Sequence, residues 1–136
     1  MDYNYLPNTK IKVSKICLGT MTWGRQNSQD EAFDQMNYSI DRGVNFFDTA
    51  ELYPVPASPD KYAITEEIIG NWFHESKKRD KVILATKIAG PGDYTAHIRK
   101  SGFKASSIED AVNGSLKRLK TDYIDLYQLH LSLIHI

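Results

Sequence analysis

The chain has 136 residues, 41% of them hydrophobic and 25% charged, which is the length and composition of one globular domain and not of a disordered segment. Lys plus Arg equals Asp plus Glu at 17 each, so the formal net charge is zero and no global field gathers nucleic acid or an anionic membrane. No apolar run approaches membrane-spanning length, charge and proline interrupt the opening MDYNYLPNTK, and the single cysteine, Cys17, has no partner for an internal disulfide; these features point to a reducing, cytoplasmic setting without a membrane partner.

In chain order, Tyr3–Leu6 and Val13–Leu18 are β-rich runs flanking the turn-forming Pro7-Asn8-Thr9-Lys10. The chain is therefore expected to open with a hairpin whose second strand ends at Gly19, with Cys17 a small core residue inside it. Ser28 and Glu31 have the spacing of a capping box. Ala32, Phe33, Met36 and Ile40 then recur at helical period until Gly43 supplies a C-cap. Val44 to Phe47 is a short apolar strand that delivers Asp48, and Pro54, Pro56 and Pro59 forbid regular structure after it.

From Thr65, the spacing of Ile68, Ile69, Trp72 and Phe73 predicts a second helix, which ends in the charged segment from Lys77. Lys77-Lys78-Arg79 and Lys117-Arg118-Leu119-Lys120 both close apolar-periodic segments, where cations complement the helix dipole; they read as helix ends and not as a nucleic-acid surface. Val82-Ile83-Leu84-Ala85 predicts a buried strand that delivers Thr86 and Lys87. A polar connection from Gly90 ends at Ser106, which with Glu109 has capping-box spacing ahead of Ile108, Ala111, Val112, Leu116 and Leu119. Tyr123 to Leu129 is strand-like and delivers His130.

Strands alternating with helices predict an α/β fold with a parallel sheet. Periodicity alone leaves open a small doubly wound sheet or the first half of a (β/α)8 barrel. The segment after the first parallel strand, GTMTWG, is not the glycine-rich dinucleotide fingerprint, which weighs against the former.

Asp48, Lys87 and His130 all fall at C-terminal strand ends, and Tyr53 lies in the loop after one of them, the rim where a parallel barrel gathers its chemistry. Singly, each has a structural explanation: a loop carboxylate binding amides, a solvent-reaching lysine, a satisfied histidine, an amphipathic tyrosine. Together they read as a tuned proton donor. Lys87 would favour the Tyr53 phenolate, Asp48 would keep Lys87 charged, and His130 would orient a carbonyl oxygen. The four histidines and one cysteine show no ligand spacing, so no metal is expected.

LGTMTWG (18–24), GVNFFDTAELY (43–53), ITEEIIGNW (64–72), LATK (84–87) and SLKRLKTDYIDLYQLH (115–130) resemble, in order and spacing, the N-terminal half of the aldo-keto reductase family. That resemblance implies a (β/α)8 barrel with an N-terminal β-hairpin closing its bottom, and NADPH-dependent reduction of a small aldehyde or ketone. It implies a catalytic tetrad of Asp48, Tyr53, Lys87 and His130 with Tyr53 as general acid. It also places Gly19, Thr20, Met21 and Asp48 near the nicotinamide and Trp23 and His130 at the substrate.

A full barrel of this kind takes about 250 residues. Residues 1–136 are accordingly expected to form one incomplete barrel domain, with hairpin and first strand in 1–18, the first βα units in 19–130, and a tail at 131–136 that departs from the family pattern. The isolated chain is expected to lack reductase activity. Its rivals are a cofactor-binding regulatory or channel-associated subunit and a nonfunctional truncated product. Neither substrate nor oligomeric state is readable.

Overall fold

The structure, a computed structural model, describes residues 1–130. The tail at 131–136 lies outside the described residues. Strands β1 (Tyr3–Tyr5) and β2 (Lys12–Ser14) form an antiparallel hairpin. There follow β3 (Cys17–Gly19), α1 (Gln29–Asp41), β4 (Phe46–Asp48), α2 (Ile64–Ser76), β5 (Ile83–Ile88), α3 (Ala105–Leu119) and β6 (Leu126–Leu129). The last four strands make one parallel sheet in the order β3-β4-β5-β6.

That sequential order decides between the two architectures left open by the sequence. Successive right-handed crossovers without a reversal of strand order put every helix on the same face, whereas a doubly wound sheet divides its helices between two faces. Ala32 and Met36 of α1, Ile69 and Trp72 of α2, and Leu119 of α3 all pack in one core with Phe47 and Leu84 of the sheet. The fold is the N-terminal half of a (β/α)8 barrel, with helices outside and the prospective barrel interior open. Among the described residues, β3 and β6 each keep one unpaired edge.

The run Val13–Leu18 is not one strand, as expected, but two. The Ser14 hydroxyl donates to the Ile16 carbonyl at 2.6 Å, bending the chain between hairpin and sheet. The hairpin then lies across the N-terminal end of β4. Ser14 N donates to Asn45 Oδ1 at 2.7 Å, Asn45 N to Ser14 Oγ at 3.2 Å, and Asn45 Nδ2 to the Lys12 carbonyl at 3.0 Å. Cys17, expected in the core, is exposed. It lies on the edge strand, in register with Phe46 and on the helix-free face.

Helix α1 begins and ends as its sequence predicts. Ser28 and Glu31 form a reciprocal capping box, and the helix closes with Gly43 N donating to Ile40 O and Val44 N to Ser39 O, a Schellman pair with Gly43 at φ +81°. Helix α3 does not use the expected Ser106–Glu109 box. Its N-cap is Lys104, and Ile108 N bonds the Lys104 carbonyl, so Ser106 is already inside the first turn.

Two strand lengths also differ from expectation. Strand β5 runs on to Ile88, so Lys87 lies within it and not beyond it. Strand β6 starts only at Leu126, because side chains take over the preceding residues. Arg79 donates to Asp125 Oδ2 at 2.8 Å, to the Tyr123 carbonyl at 3.0 Å and to the Val82 carbonyl at 2.7 Å, with its guanidinium 3.8 Å from the centre of the Tyr123 ring. Asp125 Oδ2 also accepts from Leu84 N at 2.9 Å. Arg79 and Asp125 thus fix the stagger of β5 and β6 at the end of the sheet opposite Lys87. Arg79→Ala strands a largely buried carboxylate and should destabilise the chain by about 3 kcal/mol, read as a lowered urea midpoint.

Candidate active site

Side chains alternate across a strand, and residues paired in register face the same side. The pairings Gly19 with Asp48, Asp48 with Ala85, and Lys87 with Gln128 place these residues on the helix-free face. Phe47, Leu84 and Thr86 point the other way, into the helices, and are fully buried. A one-residue slip would exchange the two sets.

On that face the Lys87 ammonium donates to Asp48 Oδ2 at 2.6 Å and to the Thr49 carbonyl at 2.7 Å. Both partners belong to the end of β4 and its loop, so the lysine ties neighbouring strands together. The Thr20 hydroxyl donates to the Asp48 carbonyl at 2.9 Å. The Asp48–Tyr53 loop is held by main-chain bonds: Thr49 N to Ala85 O, Glu51 N to Lys87 O, Tyr53 N to Ala50 O, and Val55 N to Met21 O. Tyr53 is brought back over the lysine by this path. Its ring centre lies 5.1 Å from Lys87 Nζ and 5.7 Å from the centre of the His130 ring, which meets it edge-on at 80°. The four residues that the sequence singled out are gathered within one small region, from three separate stretches of chain.

The electrostatics depart from the sequence reading in one respect. Lys87 was expected to lower the pKa of the Tyr53 phenol. Instead burial, then the Asp48 carboxylate and then Tyr94 raise it above the ordinary 10.0. The physical reason is that burial disfavours the charged phenolate and that Asp48, in contact with the ammonium, adds its own negative charge against it. Tyr53 therefore keeps its proton across the neutral range. His130 moves down from 6.5, through burial first and the Lys87 charge second, with Asp48 opposing. Its imidazole is neutral at pH 7, and its Nδ1 is buried without a partner among the described residues.

The other expected positions divide. Gly19 is exposed, with open space where a side chain would stand, and the Met21 side chain is exposed. The Thr20 hydroxyl, by contrast, is spent on the Asp48 backbone, and Thr20 is wholly buried. Trp23, expected at the substrate, is in the helix-side core at 1% exposure, its indole N–H donating to Gln35 Oε1 at 2.9 Å. It has no surface to offer a substrate here.

The sequence reading missed three participants. Glu51, inside the DTAELY stretch, is buried at 1% exposure and bound by Arg99. Gln128, beside Lys87, has a buried carboxamide oxygen without a partner among the described residues. Only the alternation of β6, which puts Gln128 on the same side as His130, could have signalled it.

The Aldo/keto reductase family profile matches residues 15–132, and the chain belongs to that family. The match runs two residues into the tail set apart by the sequence reading. Protein tas of Escherichia coli is 42% identical over 132 residues, covering 96% of this chain and 38% of its own. The uncharacterized oxidoreductase YrpG of Bacillus subtilis is 42% identical over 135 residues, covering 96% of this chain and 40% of its own. The holo form of the aldo-keto reductase AKR11C1 from Bacillus halodurans superposes with a TM-score of 0.77 at 31% identity, covering 98% of this chain and 41% of that one. The chain thus spans about two fifths of the length of these relatives.

His130 provides a direct test of the electrostatics. Its depressed folded-state value means that it contributes stability present above pH 6.5 and lost as pH falls through the folded-state value. Lys87→Met removes a like charge and should raise the midpoint of the His130 imidazole titration followed by NMR, whereas Asp48→Asn should lower it further. Unmoved midpoints in both variants contradict the arrangement described.

Proposed function

We propose that a full-length protein carrying these residues reduces aldehydes or ketones to alcohols using NADPH, with Tyr53 as the proton donor. The observation that carries the reading is the convergence of a protonated phenol, an ammonium–carboxylate pair and a neutral imidazole on the open rim of a half barrel. Family membership supports oxidoreductase chemistry.

The open space at Gly19 and the unpartnered polar atoms of Gln128 and His130 fit the nicotinamide end of such a cofactor. When bound, the dinucleotide supplies the hydride that goes to the carbonyl carbon. Everything else is work for the residues of this chain. An imidazole N–H of His130 hydrogen-bonds the carbonyl oxygen and turns it toward Tyr53. As negative charge develops on that oxygen, the Tyr53 O–H transfers its proton there, completing the alcohol. The phenolate left behind faces the Lys87 ammonium, whose position Asp48 and the Thr49 carbonyl fix in advance.

The raised pKa of Tyr53 has a direction. It keeps the donor protonated through neutral and mildly alkaline pH, which favours carbonyl reduction over alcohol oxidation, since oxidation needs the phenolate. Tyr53→Phe in a full-length protein should lower kcat for 4-nitrobenzaldehyde reduction by about 10²–10⁴-fold while NADPH still binds. Retained turnover removes Tyr53 from this role.

Residues 1–136 alone should show no NADPH-dependent aldehyde consumption. Half of the substrate cavity wall is missing when only four of the eight strands are present. Steady turnover by the isolated chain contradicts that expectation.

A further inference from the structure

Glu51 stands midway between Asp48 and Tyr53, yet its side chain turns away from the open face into the protein. Both carboxylate oxygens are fully engaged. Oε1 accepts from Arg99 Nη2 at 2.9 Å and from the Tyr62 hydroxyl at 2.9 Å; Oε2 accepts from Arg99 Nη1 at 2.8 Å and from Ala89 N at 2.8 Å. Such a two-pronged guanidinium–carboxylate contact fixes orientation as well as distance. Three separate segments meet on this one group: the end of β5 through Ala89, the chain before α2 through Tyr62, and the connection to α3 through Arg99.

The arrangement is coupled to Tyr53 by packing. Ile98, adjacent to Arg99, packs against the cluster of Ala50, Leu52, Tyr53 and Ala89. The Arg99 turn is itself held, with Arg99 N and Ile98 N both donating to Thr95 O and the Thr95 hydroxyl donating to Gly90 O at 2.6 Å. On the Tyr53 side, Glu51 N is bonded to the carbonyl of Lys87, the residue Tyr53 must face. Beyond Tyr53 the chain enters Pro54, Pro56 and Pro59 and has little regular structure of its own.

We infer that the Glu51–Arg99 pair is a positioning device that sets where Tyr53 stands relative to Lys87, an inference that rests on Tyr53 being the proton donor. A buried ion pair adds little net stability compared with apolar residues of similar size, but it fixes one arrangement of the groups around it. That suits a loop whose job is placement, since displacement of a reacting group by about 1 Å costs about 10²-fold in rate. Burial by itself raises the Glu51 carboxyl, but the bonds from Arg99, Ala89 and Tyr62 outweigh it and hold the group below its usual range, so the clamp is charged throughout neutral pH.

The test compares Arg99→Met, the neutral double variant Glu51→Gln/Arg99→Met, and Arg99→Lys in a full-length protein. Kinetics use NADPH and 4-nitrobenzaldehyde, and amide hydrogen exchange is read in parallel. The expected result is a fall in kcat of about 10²-fold with NADPH affinity unchanged, partly restored in Arg99→Lys. Exchange at Glu51 and Tyr53 should quicken by about tenfold or more while Leu84 and Thr86 keep their protection. The double variant leaves no unpaired buried charge, so it separates loss of placement from loss of folding. Unchanged kcat per folded molecule, or unchanged exchange at Glu51 and Tyr53, overturns the inference. An unmutated protein that reduces no aldehyde sinks the proton-donor reading instead, and the exchange arm then still decides whether the pair holds the loop.

Discussion

An ammonium group near the end of a strand, largely removed from water, stays charged only if a carboxylate stands against it. Lys87 and Asp48 meet that requirement across the β4–β5 boundary, and much else follows from it. Because the lysine also grips the Thr49 carbonyl, the first residues after β4 leave the sheet in a fixed direction, and the loop returns Tyr53 over the same ammonium. Burial, joined by the Asp48 charge at Tyr53 and by the Lys87 charge at His130, keeps the phenol a phenol and the imidazole neutral. The pair therefore holds the phenol in place without making it more acidic.

The layering of the fold gives this pair its setting. All three helices cover one face of the sheet, which frees the other for polar side chains at the strand ends. Fully apolar Phe47 and Leu84 anchor the sheet to the helices while their neighbours Asp48 and Lys87, one or three residues on, point into the open side. At the opposite end of the strands, Arg79 and Asp125 set the stagger that this alternation requires. The candidate site and the Arg79–Asp125 pair thus occupy opposite ends of the same strands.

A second layer of charge lies behind the sheet. Glu66 of α2 accepts from Thr86 of β5 at 2.6 Å and from Arg118 of α3 at 2.8 Å, and Gly70 lets the backbone of α3 approach α2 where any side chain would collide with Arg118 and Leu119. Glu51 performs the corresponding task nearer the rim. Both acids are buried, both are met by an arginine, and both join segments distant in sequence. Each is costly to bury alone and becomes tolerable only with its partner in place.

The alternation of strands and helices, the α1 caps at Ser28, Glu31 and Gly43, and the placement of Asp48, Tyr53, Lys87 and His130 near strand ends were all readable from the amino-acid order. Each rests on local periodicity, local capping or short spacing, which neighbouring residues dictate by themselves. Only the tertiary structure decided that the sheet is singly wound, that Val13–Leu18 breaks into two strands, that Cys17 is exposed, that Trp23 is enclosed, and that Glu51 has Arg99 as its counter-ion. Those outcomes depend on contacts between segments tens of residues apart, such as Asn45 with Ser14 or Arg99 with Glu51, and on the net field of several charges at one point, neither of which any window of the sequence contains.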